Sequence, residues 1–251
     1  YYEPGTRFAY TDVGFILLGD IVKRVTGQSV HEYSQKHIYQ PLGMTETGYL
    51  PAAELRQRAA TTQQREGRWM QGEVHDPRAY KLDGVAGHAG LFSTAEDLAI
   101  YAQALLNQGR SGKKQVLKPE TVDLMTRGYQ VVDIKRGLGW DVLSGYSSNR
   151  GDLFSRQAFG HGGFTGTALW IDPAQDLFVI FLSNRVHPDG KGSINSLAGR
   201  IGTIAAAAIS PAAAPQPASD ASSSDSLNVL TGVDVLQGEQ FKSLKGLRVG
   251  L

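Results

Sequence analysis

Residues 160–183 read GHGGFTGTALWIDPAQDLFVIFLS, and this stretch is the clearest indication of the fold. The runs 165–172 and 177–182 are rich in β-branched and aromatic residues, which favour β-strands. The connector from Asp172 to Asp176 contains Pro and two Asp, a composition typical of a tight turn. The stretch therefore predicts an antiparallel hairpin preceded by a glycine-rich segment.

Helical patterns lie on both sides of this hairpin. Apolar residues recur at helical spacing between Thr11 and Gly27, with Thr11 or Asp12 as the N-cap and Gly27 as the stop. Residues 193–209 return to a helical pattern after the hairpin. Helices before and after an antiparallel hairpin predict an α+β fold in which helices cover an antiparallel sheet.

Two capping boxes predict further helices. Ser29 followed by Glu32 begins a helix that runs to about Tyr39, because each side chain can bond the other residue's backbone N–H. Ser93 with Glu96 predicts the same arrangement before a helix over 98–107.

The remaining segments differ in how strongly they are patterned. Pro119 is expected as the first residue of a short helix that ends at Arg127, and residues 138–143 alternate like a strand. Residues 51–92 show little periodicity and many polar or Gly positions, so they predict a long irregular loop across one face of the domain.

The composition excludes several classes of function. The 25 basic and 24 acidic residues nearly cancel, so no global field favours nucleic acid or an anionic membrane surface. With no cysteine, the chain has no disulfide, thiolate nucleophile or Cys-ligated metal site. The sequence contains no apolar run of about 18 residues, so it predicts no membrane span. Small-molecule or polymeric substrates stay open.

The chain is expected to contain more than one unit. Residues 210–226 are almost wholly Ala, Pro, Ser and Asp and predict a flexible linker between a domain over 1–209 and a further domain that starts at 227–251. Because the chain opens on Tyr1 and turns apolar over 244–251, we expect it to be a fragment of a longer protein.

Two segments carry side chains suited to chemistry. Tyr10 and Asp12 stand at the start of the first predicted helix, whose N-terminus attracts anions. His161 lies in the glycine-rich segment 160–167, where missing side chains allow a substrate to approach the backbone.

These segments resemble motifs of a known family. PGTRFAYTD at 4–12 resembles the Tyr-x-Asn region of class C β-lactamase-like serine hydrolases, which are related to penicillin-binding proteins. His161-Gly162-Gly163 resembles their Lys/His-x-Gly strand motif, and residues 86–98 and 182–185 also look like the family. The resemblance spans residues 1–209 and implies an antiparallel sheet flanked by helices, of which this chain would hold the C-terminal part.

The resemblance also implies roles for individual residues. Tyr10 would handle the proton of a serine nucleophile, which requires a nearby cation to lower its pKa from about 10. His161 would stand where β-lactamases have lysine, and Gly162 and Gly163 would line the substrate. The backbone N–H of Phe164 would form half of an oxyanion hole.

Three departures from the family pattern affect the expected substrate. Asp12 replaces Asn, and Gly162 replaces the usual Ser or Thr. His161, with an ordinary pKa near 6.5, is mostly neutral at pH 7 and attracts a substrate carboxylate less than lysine does. These residues favour peptidase- or esterase-like substrates over penicillins.

The family's nucleophile lies in a Ser-x-x-Lys motif upstream of the tyrosine. The one such motif in this chain, Ser111 to Lys114, follows the tyrosine and lies beyond a helix stop. The resemblance therefore implies that the nucleophile is missing from this chain and that the chain alone is inactive.

Simpler interpretations of the same residues stay open. Tyr10 could pack before the helix, Asp12 could only cap it, and His161 could be a surface residue. His75-Asp76 and His88 suggest loop packing more than a metal site, because they lack the spacing of helical ligands. Gly84, Gly87 and Gly90 lack the residues that would hold a nucleotide, so no cofactor is expected.

Residues 227–251 resemble the opening of exo-β-N-acetylmuramidase domains. Both resemblances imply a peptidoglycan-fragment or other small-molecule substrate and a periplasmic or extracytoplasmic location. The alternative is a non-catalytic penicillin-recognition scaffold that binds peptidoglycan for a fused glycosidase.

Overall fold

The structure is a computed structural model that describes residue 3 and residues 5–209. The helices are α1 (Asp12–Thr26), α2 (Val30–Ser34), α3 (Gln40–Leu42), α4 (Ala53–Arg58), α5 (Pro77–Lys81), α6 (Ala95–Leu106), α7 (Pro119–Thr126) and α8 (Asn195–Ile209). The strands are β1 (Thr61–Arg65), β2 (Arg68–Gln71), β3 (Arg110–Ser111), β4 (Lys114–Gln115), β5 (Tyr129–Val131), β6 (Ile134–Arg136), β7 (Asp141–Leu143), β8 (Phe159–Gly162), β9 (Thr167–Asp172) and β10 (Leu177–Leu182). A π-helical turn (Gln35–Tyr39) joins α2 to α3, and a 3₁₀ turn covers Ser147–Asn149.

The main sheet has six strands in the order β10-β9-β8-β7-β6-β5, and each neighbouring pair is antiparallel. Strands β9 and β10 form the predicted hairpin, paired from Asp172 with Leu177 at the turn to Thr167 with Leu182 at the far end. The expected α+β fold, an antiparallel sheet flanked by helices, is confirmed.

Alternate side chains of β9 enter two cores on opposite faces of the sheet, as the pleat of a strand requires. Ala168 and Trp170 pack with Ala198 of α8 on one face. Leu169 and Ile171 belong to the cluster that α6 covers on the other. Burying a side chain such as Ile171 stabilises the fold by about 1.5–3 kcal/mol relative to exposing it. The sheet is therefore held between helices.

Helix α1 has the predicted bounds but a different environment. The Thr11 side chain caps its N-terminus, and Gly27 ends it at φ +74°, a left-handed conformation that favours glycine. No residue of α1 is buried. Several of its apolar side chains are half or more exposed, including Val13, Leu17 and Val25.

The expectation of an irregular loop over 51–92 is wrong. This segment holds α4, the β1–β2 hairpin and α5. The hairpin strands, TTQQR and RWMQ, are mostly polar and carry no apolar alternation. The turn between them places Glu66 and Gly67 at positive φ, so the hairpin is specified by its turn rather than by a buried face.

Smaller boundaries also differ from the prediction. Thr94 caps α6 by accepting from the Asp97 N–H, whereas the Ser93 hydroxyl contacts Thr47. Strand β7 starts only at Asp141, because Gly139 turns the chain at φ +84°. The predicted capping box at the start of α2 is present.

Helix α7 begins at the predicted Pro119, with Arg127 as its C-cap, and α8 ends at the predicted Ile209. The predicted linker over 210–226 and the predicted domain start over 227–251 lie outside the described residues. Within 5–209, no helix has both the length and the apolar character needed to span a bilayer.

Candidate functional site

The fold brings Tyr10 and His161 together although they are far apart in the sequence. Tyr10 lies in the extended segment just before α1, and His161 is on β8 of the main sheet. Their ring centroids are 6.0 Å apart, and Tyr146 from the loop after β7 lies 5.0 Å from the Tyr10 ring. The two predicted catalytic residues therefore share one site.

The His161 imidazole is half-buried and bonded through both nitrogens. Nε2 lies 3.0 Å from Nη2 of Arg136, and Nδ1 lies 2.7 Å from the Gly162 carbonyl oxygen. Burial lowers the pKa of His161, the bond to Gly162 opposes this, and the positive charge of Arg136 lowers the pKa further. His161 is therefore more strongly neutral at pH 7 than an ordinary histidine.

Arg136, at the end of β6, is a site residue that the sequence did not suggest. Its guanidinium carbon lies 5.7 Å from the ring centroid of Tyr10 and 5.6 Å from that of Phe8. Its Nη1 lies 3.4 Å from an Asp141 carboxylate oxygen, and 11% of its side chain is exposed. The one sequence signal for Arg136 is that a charged residue directly precedes Gly137-Leu138-Gly139, and this signal is weak.

The pKa of Tyr10 is raised, whereas the family role calls for a lowered one. Burial raises it, the positive charge of Arg136 opposes the rise, and Asp12 adds to it. Among the described residues, Arg136 is therefore the cation that favours ionised Tyr10, and its field does not outweigh the loss of hydration.

Asp12 is not the N-cap of α1, a role that Thr11 fills. Asp12 is the first residue of the helix, and its carboxylate lies 2.8 Å from Nη1 of Arg78 in α5. This ion pair fixes the carboxylate and joins the start of α1 to α5. The cap-only interpretation of Asp12 is therefore wrong, and a substrate contact would compete with Arg78.

Gly162 and Gly163 stand where side chains do not fit. A Cβ on Gly162 would lie 2.1 Å from Nδ2 of Asn149, which is buried, and a Cβ on Gly163 would lie 2.4 Å from the Thr167 hydroxyl oxygen. A serine or threonine at position 162 would therefore collide with Asn149.

Phe164 lies in the turn between β8 and β9, which the Gly166 N–H closes on the Gly163 carbonyl at 3.0 Å. Its side chain is 70% exposed and has the Arg185 guanidinium 4.2 Å from the ring centroid. The His75 ring stacks on it at 5.9 Å. Its backbone N–H has no hydrogen-bond partner within 5–209, so it is available to an oxyanion.

Three other side chains come close enough together to suggest a metal. Asp12, Asp76 and His88 offer ligand atoms within 4.8 Å of one another. Each has a protein partner instead: Asp12 pairs with Arg78, His88 bonds Asp76 at 2.9 Å, and Asp76 caps α5. We therefore assign this group to loop packing.

Two shallow cavities, of about 460 and 360 Å³, lie elsewhere on the described surface. The first is lined by residues of α4, α5 and the segment that follows β2, and the second by residues 147–152 and the first turns of α8. Neither cavity is lined by Tyr10 or His161, so neither coincides with the candidate site.

Comparisons with known proteins identify the family of the chain. Residues 1–201 match the family model described as Beta-lactamase. The chain is 39% identical over 204 residues to a "Putative D-alanyl-D-alanine carboxypeptidase" from Escherichia coli (strain K12), covering 74% of this chain and 47% of that protein. It is 38% identical over 204 residues to an "N-acetylmuramyl-L-alanine amidase" from Bacillus subtilis (strain 168), covering 74% and 46%.

A crystal structure of a beta-lactamase from Mycobacterium bovis matches the fold with a TM-score of 0.59 and 23% identity, covering 83% of this chain and 66% of that one. The chain spans about half the length of the curated relatives it matches. The family model covers most of the described residues and includes both halves of the site. The chain belongs to the beta-lactamase family.

Proposed function

We propose that the intact protein is an acyl-serine hydrolase that acts on cell-wall peptides or related small substrates. In this proposal the chain supplies Tyr10, His161 and the turn at Phe164. The observation that carries it is the 6.0 Å approach of the Tyr10 ring to the His161 ring, which joins two motifs from opposite ends of the domain.

The proposed chemistry is acylation followed by hydrolysis. A serine hydroxyl attacks the substrate carbonyl while Tyr10 takes its proton, and the leaving amine or alcohol departs with a proton from the same group. The Phe164 N–H, which is free within the described residues, would stabilise the oxyanion. Water then cleaves the acyl-serine. Removing one such oxyanion donor typically costs about 10²–10³ in rate.

The nucleophile is proposed to lie in a part of the intact protein outside this chain. Ser111 and Lys114 face each other across the β3–β4 hairpin, which packs against α6 rather than beside Tyr10. The exposed apolar face of α1, which includes Leu17, also leaves a surface for further structure to cover. We therefore propose that the described residues alone have no hydrolase activity.

Peptidoglycan fragments are the proposed substrate class. Both curated relatives are named for amide bonds of cell-wall peptides, one at a D-alanine and one at a muramyl-L-alanine. The neutral His161 and the missing hydroxyl at Gly162 weaken binding of the carboxylate that penicillins carry. The proposal is therefore peptidase- or esterase-like turnover in preference to β-lactam turnover, in an extracytoplasmic location.

The test uses the complete gene product and two substrates, a peptide ending in D-alanyl-D-alanine and a muramyl-L-alanine peptide. We expect release of D-alanine or of the peptide, and a loss of at least about a hundredfold in kcat for Tyr10→Phe, as removal of a general base or acid produces. Tyr33→Phe, a phenol on α2, is the matched control and should keep full activity. Near-normal turnover by Tyr10→Phe would refute the role of Tyr10.

One observation favours a non-catalytic alternative, a penicillin-recognition scaffold that binds peptidoglycan for a fused glycosidase. Burial raises the pKa of Tyr10, which disfavours its action as a base. The alternative predicts that a fluorophosphonate probe labels no serine of the complete protein. Labelling at one serine would remove it, and labelling that Tyr10→Phe abolishes would support the hydrolase.

A further inference from the structure

Arg136 is the one charged group that contacts both halves of the site within the described residues. Its guanidinium bonds His161 on β8 and lies beside the rings of Phe8 and Tyr10, which precede α1. Both ring centroids are within the roughly 6 Å at which a cation is attracted to an aromatic face. The sheet and the segment before α1 therefore meet at this side chain.

The hydrogen bonds of His161 determine which of its nitrogens carries the proton. An arginine guanidinium has only donors, so at 3.0 Å the Nε2 of His161 accepts from Arg136. A carbonyl oxygen only accepts, so at 2.7 Å the Nδ1 of His161 donates to Gly162. A protonated imidazole would place an N–H against the guanidinium. The contacts are thus compatible with one form of the ring, the neutral Nδ1–H tautomer.

Arg136 is itself held in place by a buried carboxylate. Asp141 on β7 is 2% exposed, lies 3.4 Å from Nη1 of Arg136 and accepts from the Ser144 and Ser147 hydroxyls at 2.8 and 2.9 Å. These hydroxyls fix the carboxylate, which lies beside the guanidinium as an ion pair without a hydrogen bond. The result is a chain of contacts from the loop after β7 to the carbonyl of Gly162.

We infer that Arg136 is the positioning residue and the cation of this site: it holds His161 as the neutral Nδ1–H tautomer and directs its own charge at Tyr10. The positive charge that the family motif assigns to the first residue of His161-Gly162-Gly163 is then carried by Arg136 on β6, which β7 separates from β8 in the sheet. His161 acts as a fixed hydrogen-bond acceptor and neither gives nor takes a proton. Its part in turnover rests on the proposed function, whereas the tautomer does not.

Several charged and titratable groups face His161 and Tyr10, and they set how the pKa of each changes when Arg136 is neutralised. His161 faces Arg136 and Asp141, and Tyr10 faces these two together with Asp12 and Tyr146. Removing the guanidinium leaves Asp141 without its cation, whereas Asp12 keeps its ion pair with Arg78. The pKa of His161 and the pKa of Tyr10 should therefore both rise in Arg136→Gln, and Arg136→Lys should keep much of the original behaviour.

The deciding experiment is ¹⁵N NMR of the histidine rings in the chain as it stands, recorded from pH 5 to pH 9. The six histidines are resolved by comparison with His161→Gln, which removes one set of signals. At pH 7 we expect His161 in the unmodified chain to show a protonated Nδ1 and a bare Nε2, and we expect it to titrate at a lower pH than an ordinary histidine. In Arg136→Gln we expect its titration to move to higher pH and the tautomers to mix.

A purely structural arginine gives a different pattern, because Gln and Lys would then perturb the ring alike. Equal perturbation by Gln and Lys would overturn the inference. An unmodified His161 whose Nε2 carries the proton at pH 7 would overturn it as well. Circular dichroism checks that each variant is folded, and Arg136→Lys decides the question if Arg136→Gln does not fold.

Kinetics of the complete enzyme give the second readout. We expect kcat to fall at least tenfold in Arg136→Gln, with the limb of the pH profile that reports Tyr10 moved to higher pH and partial recovery in Arg136→Lys. A loss of rate with no movement of that limb would contradict the claim that Arg136 acts on Tyr10. If the unmodified enzyme releases no product, the proposed function fails, and the NMR result alone decides the role of Arg136.

Discussion

The sequence predicts helix α1 and the β9–β10 hairpin equally clearly, yet their apolar side chains differ in burial. Trp170 and Ile171 of β9 are 2% and 0% exposed, whereas Leu17 and Val25 of α1 are 55% and 78% exposed. Periodicity reports how apolar side chains are spaced along an element. It does not report what covers them. Strand β9 of the hairpin packs into both main cores of the described residues, whereas the segment just before α1 contributes Tyr10 to the site.

The largest expected effect is at the buried Trp170 of the β9–β10 hairpin. Trp170→Ala removes a ring that packs between Phe154, Ala158 and Ala198 and whose Nε1 donates to Asn149, so we expect a loss of about 3–5 kcal/mol in the free energy of unfolding. Urea denaturation measures it. The matched control is Trp69→Ala, since Trp69 is 44% exposed, and a loss as large there would contradict the assignment of the core.

The next effect concerns Asp76, the N-cap of α5. Burial opposes ionisation of Asp76, but hydrogen bonds from the Ala79 N–H and His88 outweigh it and hold the pKa of Asp76 below its ordinary value. A lowered pKa contributes stability that is present above about pH 4 and is lost as the pH falls through the folded-state pKa. Asp76→Asn should therefore lower the free energy of unfolding at pH 7 by about 1 kcal/mol.

The same variant should flatten the decline in stability between about pH 4 and pH 2, because its side chain does not titrate there. Urea denaturation across this range is the measurement. Asp83→Asn, a change at an exposed carboxylate, is the control and should leave the slope unchanged. A full slope in Asp76→Asn would show that another group accounts for the acid sensitivity.

A smaller effect is expected at the start of α1. The Thr11 hydroxyl accepts from the Val13 N–H at 3.3 Å, so Thr11→Ala should cost about 0.5–1 kcal/mol of helix stability. Hydrogen exchange of the first turn of α1 measures this locally. Thr11→Ser keeps the cap and should restore the protection. If the Ala and Ser variants exchange alike, the cap does not hold the Tyr10 segment in place.

The smallest effect is expected on the exposed face of α1. Leu17→Ala should change the free energy of unfolding of the described domain by less than about 0.5 kcal/mol, as surface substitutions usually do. The same change in the complete protein should cost more if further structure covers that face. Equal and small effects in both would contradict the idea that α1 is an internal helix of the intact enzyme.

The difference between predictable and unpredictable parts follows from where the information lies. Local signals were sufficient for α1, with its cap at Thr11 and its stop at Gly27, and for the β9–β10 hairpin. The β1–β2 hairpin escaped prediction because its strands are polar and bury only one large apolar side chain, Met70. Residues 159–162 of β8, FGHG, give no alternation, so this strand was indicated only by the glycine-rich segment and by the resemblance of His161-Gly162-Gly163 to a strand motif.

The site was partly predictable for the same reason. Tyr10 and His161 stand in motifs whose residues are neighbours in the sequence, so a resemblance could identify them, and their roles stay predictions. Arg136 has no such motif, because its partners come from the segment before α1 and from β7 and β8. Only the pairing of the strands brings them together. Likewise, the ion pair between Asp12 and Arg78 depends on tertiary structure.

The crowding at Gly162 bears on which residues position 162 could accept in evolution, and through the proposed function on the substrate range. A serine or threonine there would collide with Asn149, and Asn149 in turn accepts the Nε1–H of buried Trp170 at 3.0 Å. A hydroxyl at position 162 therefore requires a coupled change at Asn149. A change at Asn149 alone would leave the Trp170 indole N–H without its acceptor. Either single mutant is a less stable intermediate, so the two positions are epistatic. A drift toward carboxylate-bearing antibiotics would have to cross that barrier.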